Sequence, residues 1–322
     1  MAANDPLLWR ILTVAAVIED EYGVTPSDLS AAVFFDVMTK ESPGVYQGDT
    51  AERERVKPGF GANEQVNVAP YSTRTIRVPY AGSGAPGVPP SFWPLMLCAG
   101  HSEEIDTAEG EEKVIYGPVS RNFHSVSLMW WSDGDELQVL PGVRGTVTRT
   151  TDAKGLPYFE FSLTGLYQRP RTEAPPAGGT RAPQAGEVPV NKQNSTFELF
   201  GYKAPMQSWS FDMAGQVEHR NLVNYEGIHL TDRQATGQLN IQKPRLDDFN
   251  IFEKVESHNG TVTSPVTFSH GKTPGNIVDF EGTSVQLSNY GETEMQGVTH
   301  CTMDTRLLSA PEGDGDYRYV FR

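Results

Sequence analysis

Cysteine is almost missing from this sequence: Cys98 and Cys301 are the only two in 322 residues, with no CxxC spacing. A disulfide framework and a cysteine-ligated zinc site are both excluded. Both lie in apolar stretches and read as buried free thiols, which suits a reducing compartment. Positive charge is also scarce, with 26 Lys plus Arg against 41 Asp plus Glu and a formal net charge of −15. A protein that holds nucleic acid by neutralising phosphates needs basic stripes, so that class is set aside. No apolar run reaches membrane length. The one at residues 11–18 is too short, follows Asp5 and precedes Glu19, Asp20 and Glu21, and reads as a mature, buried segment.

Chemistry-bearing motifs are equally thin. The seven histidines form no HxH, HExxH or HxxxH pair, and no GxSxG elbow occurs. Gly82-Ser83-Gly84-Ala85-Pro86-Gly87 spells GxGxxG, with Glu103 near the ribose-binding distance. Pro86, Pro89 and Pro90 remove the N–H groups that a phosphate-binding helix start requires, so the stretch reads as a hairpin or interface loop. Asp133-Gly134-Asp135 and Glu312-Gly313-Asp314-Gly315-Asp316 hint at calcium loops but lack the full oxygen-ligand spacing, and Asp-Gly turns explain them. Residues 101–112 hold six acids and read as a solvated loop or the acidic lining of a surface. Two Asn-x-Thr/Ser sequons, at Asn194 and Asn259, carry no weight without a secretory signal. No catalytic, cofactor or metal residue is assigned, and no enzyme is indicated.

What is present is turn chemistry and a repeat. Gly and Pro total 54 residues, about 17% against a typical ~12%. The 38% hydrophobic and 10% aromatic residues are ample for packed cores. Residues 167–194 are rich in Pro and Gly and poor in apolar side chains, an extended linker that divides the chain into 1–168, 169–194 and 195–322. The flanks match in order. Glu52-Arg53-Glu54-Arg55-Val56 precedes the alternating run Ser72 to Val78, as Glu218-His219-Arg220-Asn221-Leu222 precedes Thr236 to Ile241. Apolar residues then recur at spacing three, Phe92, Leu95 and Cys98 in one half and Phe249, Phe252 and Val255 in the other, predicting a short helix in each. Strand pairs follow: Gly145–Thr148 with Phe159–Leu163, and Gly282–Leu287 with Val298–Met303. Four matched pairs in order imply an internal duplication, each copy mainly β.

These residues resemble a known family. Val17-Ile18-Glu19-Asp20-Glu21-Tyr22-Gly23, Glu52 to Gly61, Val78 to Gly84, Trp93 to Gly100, Pro141 to Val147, Pro157 to Tyr167 and Thr231 to Gly237 together resemble the tail tube (major tail) proteins of long-tailed bacteriophages. The resemblance covers nearly the whole chain, more weakly after Pro265, and rests on order and spacing. It implies two tandem tail-tube-type β-sandwich domains, mainly β, each with one flanking helix. It also implies rings that stack into a tube, with trimers of a duplicated chain giving pseudo-sixfold symmetry. The partners implied are the chain itself and the tape measure, tail terminator and distal tail proteins. DNA would pass an acidic lumen without specific binding, with no membrane involved, in the virion tail after assembly in the host bacterial cytoplasm. The family brings no catalytic residues.

Two loops, residues 49–69 and 81–88, look long enough to reach a neighbouring subunit and are expected to order on polymerisation. The competing reading is a tandem β-sandwich carbohydrate-binding module displaying Trp93, Trp130, Trp131 or Trp209; a hydrolase with dispersed carboxylates has only residue types in its favour.

Overall fold

The computed structural model of the protein describes residues 6–39, 41, 43–176 and 181–322. It is mainly β, with strands antiparallel throughout the paired sheets and two short helices among the described residues. The first half contains β1 (Leu12–Ile18), β2 (Val33–Phe35), β3 (Gly44–Glu52), β4 (Gln65–Pro79), α1 (Trp93–Cys98), β5 (His101–Asp106), β6 (Lys113–Pro118), β7 (Val126–Ser132), β8 (Glu136–Asp152) and β9 (Tyr158–Leu166). The two-residue β10 (Arg171–Thr172) follows. The second half contains β11 (Ser195–Leu199), β12 (Met206–Asp212), β13 (Gln216–Leu222), β14 (Tyr225–Asp232), β15 (Thr236–Gln242), α2 (Phe252–Val255), β16 (Thr263–His270), β17 (Val278–Met295), β18 (Val298–Leu307) and β19 (Tyr317–Phe321).

Side-chain alternation makes these strands. In β4, Ser72, Arg74, Ile76 and Val78 are buried while Thr73, Thr75 and Arg77 are half-buried on the other face. The long β8 changes sheet part-way. Its first part pairs with β7 and its second with β9. The switch falls at Pro141-Gly142, where Gly142 has φ +63° and a Cβ would press on the Tyr22 ring. Helix α1 carries Pro94 in its first turn and buries Pro94 to Cys98. Helix α2 is a single turn, shorter than the apolar spacing suggested: Phe249 lies before it and stacks on Tyr202, while Phe252 packs on Tyr290.

The paired order repeats. In the first half β4 pairs with β9 and β9 with β8; in the second β15 pairs with β18 and β18 with β17. The hairpins ahead of them match as well: β3 lies along β4, while β12 and β13 lie along β15 and β14. Strand β12 also pairs with β8 and β19 with β6, so backbone ladders run across the two halves. One apolar core likewise spans both, from Ile76, Phe159 and Phe161 to Trp209, Phe268, Phe280 and Tyr319. A smaller cluster around Trp131, Phe34 and Met129 fills the opposite face of β1 and β7. Cys98 and Cys301 are buried free thiols.

The described part of the Pro-rich stretch is a strap fastened along the protein. Arg171 lies opposite Leu137, the Ala182 N–H donates to the Phe34 carbonyl, and buried Val190 exchanges backbone hydrogen bonds with Lys154 and Gly155. Residues 177–180 lie outside the described residues. Strapping satisfies polar backbone that few apolar side chains could otherwise hold in place.

Buried His101 ties α1 to the C-terminal strand. Its Nδ1–H donates to the Met96 carbonyl, so Nε2 is the acceptor for the Tyr317 hydroxyl. Burial pushes its pKa down to about 4. The native ring stays neutral while the unfolded one takes a proton below about pH 6.5, so stability falls as pH drops from there towards 4, by up to about 3 kcal/mol. Denaturant midpoints across this window should show that slope in the wild type and lose its His101 share in His101→Phe.

Candidate assembly surface

The joint between the halves is a strand pairing. Ser208 lies opposite Asp152 and Asp212 opposite Thr148, and the Ala153 N–H continues the ladder to the Gln207 carbonyl. Beneath it Arg149, fully buried, lies between Trp209 and Phe280, its guanidinium carbon 4.4 and 4.3 Å from their ring centres. None of its three nitrogens has a hydrogen-bond partner among the described residues. The joint connects β8, an edge strand of the first half's sheet, to β12, the opposite edge strand of the second half's, a head-to-tail contact.

In each half the sheet has two edges, and the joint uses one from each. The counterpart of β12 is the segment leading into β3: the Met38 N–H bonds to the Arg77 carbonyl and Gly44 lies opposite Thr73. Its outer side pairs with no strand among the described residues. The counterpart of β8 is β17, where β16 covers the edge only as far as Gln286. From there to Met295, β17 pairs with β18 alone. Exposed edges of this kind are templates for pairing with another chain.

The sheet β4–β9–β8–β12–β15–β18–β17 is covered on its core side and largely bare on the other. Its bare face is rich in hydroxyls and amides, for instance Thr75, Thr150, Ser210, Gln238, Asn240 and Thr302. Four carboxylates stand on it, Asp152, Glu160, Asp212 and Asp304, against three guanidiniums, Arg77, Arg144 and Arg306. Arg77 is paired with Glu160 at 2.5 Å and Arg144 is held by the Ile228 and Phe123 carbonyls, so the four carboxylates exceed the guanidiniums by one and the face is weakly acidic. The acidic run 101–112 lies elsewhere, in β5 and the turn of the β5–β6 hairpin.

Two hairpin arms extend from the repeats. The β13–β14 arm lies against the first half: the Tyr22 hydroxyl bonds to Gly142 and Ile228, Arg144 Nη1 donates to the Ile228 carbonyl at 2.8 Å, and His219 packs on Tyr71. The β3–β4 arm has no such seat. Val56 and Phe60 at its tip are fully exposed, and Tyr46 and Val68 along its sides are more than half exposed.

The second loop expected to be an arm is not one. Ala81, Gly82 and Ser83 are buried at the junction with the second half, where Gly82 N–H bonds Asn276 Oδ1 and Gly84 N–H bonds the Gly275 carbonyl, each at 3.0 Å. A Cβ on Gly82 would strike Gly275, and Gly275 itself has φ +83°. Glycine here allows two backbones to touch, a need that in sequence looks the same as flexibility.

The other motifs are turns and clamps. Asp133-Gly134 makes the β7–β8 turn at positive φ. Asp314 and Asp316 hold Arg233 at 2.7 and 3.1 Å, and Arg233 Nη1 reaches the Val119 carbonyl. Among the described residues no group of three or more His, Cys, Asp or Glu is placed to hold a metal, and no helix is long and apolar enough to cross a membrane. Trp130, Trp131 and Trp209 are buried in cores. Sequence reasoning missed Arg149, because a charged residue in a strand carries no sign of which side it faces, and Arg233, whose partners Asp314 and Asp316 lie 81 and 83 residues away in the chain. No protein-family model and no curated protein matches the chain.

Proposed function

We propose that the chain is a structural protein of a phage tail tube, which closes into rings that stack around a conduit for DNA. The observation that carries this reading is the β8–β12 joint. It is a head-to-tail contact between two like halves, and the corresponding edges stay open at the two ends of the sheet, at Met38 and Gly44 and on β17 past Gln286. Pairing these open edges between copies repeats the joint already made within one. Three copies then give six repeats in a ring, with eight strands per chain and ~24 in the closed sheet, more than the 16–18 that already leave an aqueous channel.

In such a ring the bulk of each chain lies outside and the bare face turns inward. A wall of hydroxyls and amides with a net acidic balance gives DNA no guanidinium row to hold and a mild repulsion instead. The partners follow from the resemblance: further rings of the chain, a tape measure protein within, and terminator and distal tail proteins at the ends. The carbohydrate-binding alternative needs displayed aromatic faces, and three of its four candidate tryptophans are in cores. Negative-stain images of the concentrated protein should show rings or tubes. Protein that stays monomeric and binds on a glycan array would reverse the choice.

A further inference from the structure

The backbone crossing at Gly275 has an open counterpart in the first half. Ladder by ladder, β7, β8 and β10 correspond to β16, β17 and β19. Each first strand pairs with the opening part of the second in a hairpin, and the third strand pairs with that same opening part. The β7–β8 turn thus corresponds to the β16–β17 turn. The segment leaving β15 likewise corresponds to the one leaving β4, and both run into the helix of their half. Within the chain the segment after β4 crosses the β16–β17 turn, where the Gly84 N–H bonds to the Gly275 carbonyl at 3.0 Å. Gly134 holds the matching place in the β7–β8 turn, with φ +93° against +83° for Gly275. A Cβ on Gly275 would strike Gly84 and Ala85, whereas one on Gly134 would meet nothing within 4 Å. One turn is covered and its counterpart is bare.

The segment that would cover it is also bare. Lys243 pairs with Glu292 on the open stretch of β17, and Phe252 of α2 packs on Tyr290 of the same stretch, so the segment lies beside the open edge. Pro244 is buried, while Arg245 and Leu246 are exposed. Asp247 and Asp248 follow in a turn closed by the Asp248 N–H on the Arg245 carbonyl, and the Arg245 guanidinium has no ion pair among the described residues. The β7–β8 turn offers the complement. It carries Asp133, Asp135 and Glu136 against Arg10 in the adjoining N-terminal segment. That segment is tied to the turn by the Leu8 N–H to Asp133 Oδ2 bond, and its Leu7 and Leu8 side chains are more than half exposed.

We propose that the Pro244–Asp247 segment of one copy crosses the β7–β8 turn of the next, with Arg245 paired to Asp135 and Glu136 and Leu246 packed on Leu7 and Leu8. The inference rests on the ring reading, since the contact lies beside the joint where β17 of one copy meets the next copy's edge at Met38 and Gly44. It gives the joint between copies a charged contact where the joint within the chain has a glycine crossing.

Crosslinking tests the contact. Leu246→Cys combined with Leu8→Cys, treated with a short bismaleimide, should give covalent dimers and closed trimers in assembled material. Their yield should exceed that of either single variant by about tenfold or more, since the contact raises the local thiol concentration. A link within one chain leaves its mass unchanged, and Cys98 and Cys301 are buried. Leu246→Cys with Leu222→Cys, exposed on the β13–β14 arm, is the control. Arg245→Glu should raise the concentration needed for assembly about tenfold, and adding Glu136→Arg should restore most of it. Rings in the images with no Leu8 link, or with preferential Leu222 linking, overturn the contact and leave the ring reading standing. An unchanged assembly concentration in Arg245→Glu overturns its ionic part. Absence of rings in the wild type overturns both readings.

Discussion

Proline at one of two adjacent positions in β17 should abolish assembly while the chain still folds. Thr293 and Glu294 lie opposite His300 and Thr299 on β18, so their backbone N–H groups point in opposite directions, one into the ladder and one to the open edge. Thr293→Pro and Glu294→Pro therefore form a matched pair. The variant that loses the inward N–H weakens β17–β18 and lowers the melting temperature. The other keeps that ladder but cannot donate to a neighbour's edge beside Met38 and Gly44, and its ring clashes there. A lost hydrogen bond with the clash costs about 3 kcal/mol per joint, which raises the concentration needed for assembly roughly 100-fold. Circular dichroism melts and sedimentation read the two effects separately. If both variants assemble like the wild type, the open edge of β17 is not the joint.

The second large effect is at Arg149. A buried guanidinium without an acceptor costs several kcal/mol of lost hydration, and its cation–π contacts with Trp209 and Phe280 return about 2 kcal/mol or more. Methionine fills similar volume between the same rings without the charge, so Arg149→Met should leave stability unchanged or raise it. Arg149→Ala opens a cavity where β8 enters the shared core and should cost about 3–5 kcal/mol, a drop in melting temperature on the order of 10 °C. Thermal unfolding of the two variants checks this. Equal losses in both would mean that the positive charge itself is needed, and would point to an anionic partner.

How much of this was legible in the sequence differs by element. The alternation in Ser72 to Val78 and Thr236 to Ile241 located β4 and β15, and the matched order of later strands located the β8–β9 and β17–β18 pairs, because one buried face writes a period of two into the chain. The buried cysteines and the Asp-Gly turn at Asp133 were equally readable. The segment 81–88 was misread, since Gly-Ser-Gly serves a tight backbone crossing at Gly275 as well as a flexible loop. The strap was only half legible: low apolar content marked it as extended, but the carbonyls it would bond lie far away in sequence. The joint itself left no trace. Pairing of β8 with β12 depends on which edge remains open after each repeat has folded, and alternation reports faces, never edges.

The most direct test of the central claim is the mass of the assembled ring in solution. Closure through one repeated joint predicts a species of three chains, three times 35.4 kDa or about 106 kDa, and multiples of it as rings stack. Mass photometry across a concentration series should resolve that species, and it should vanish in the assembly-defective proline variant. A dominant dimer, or a monomer that persists at every concentration, would contradict the account.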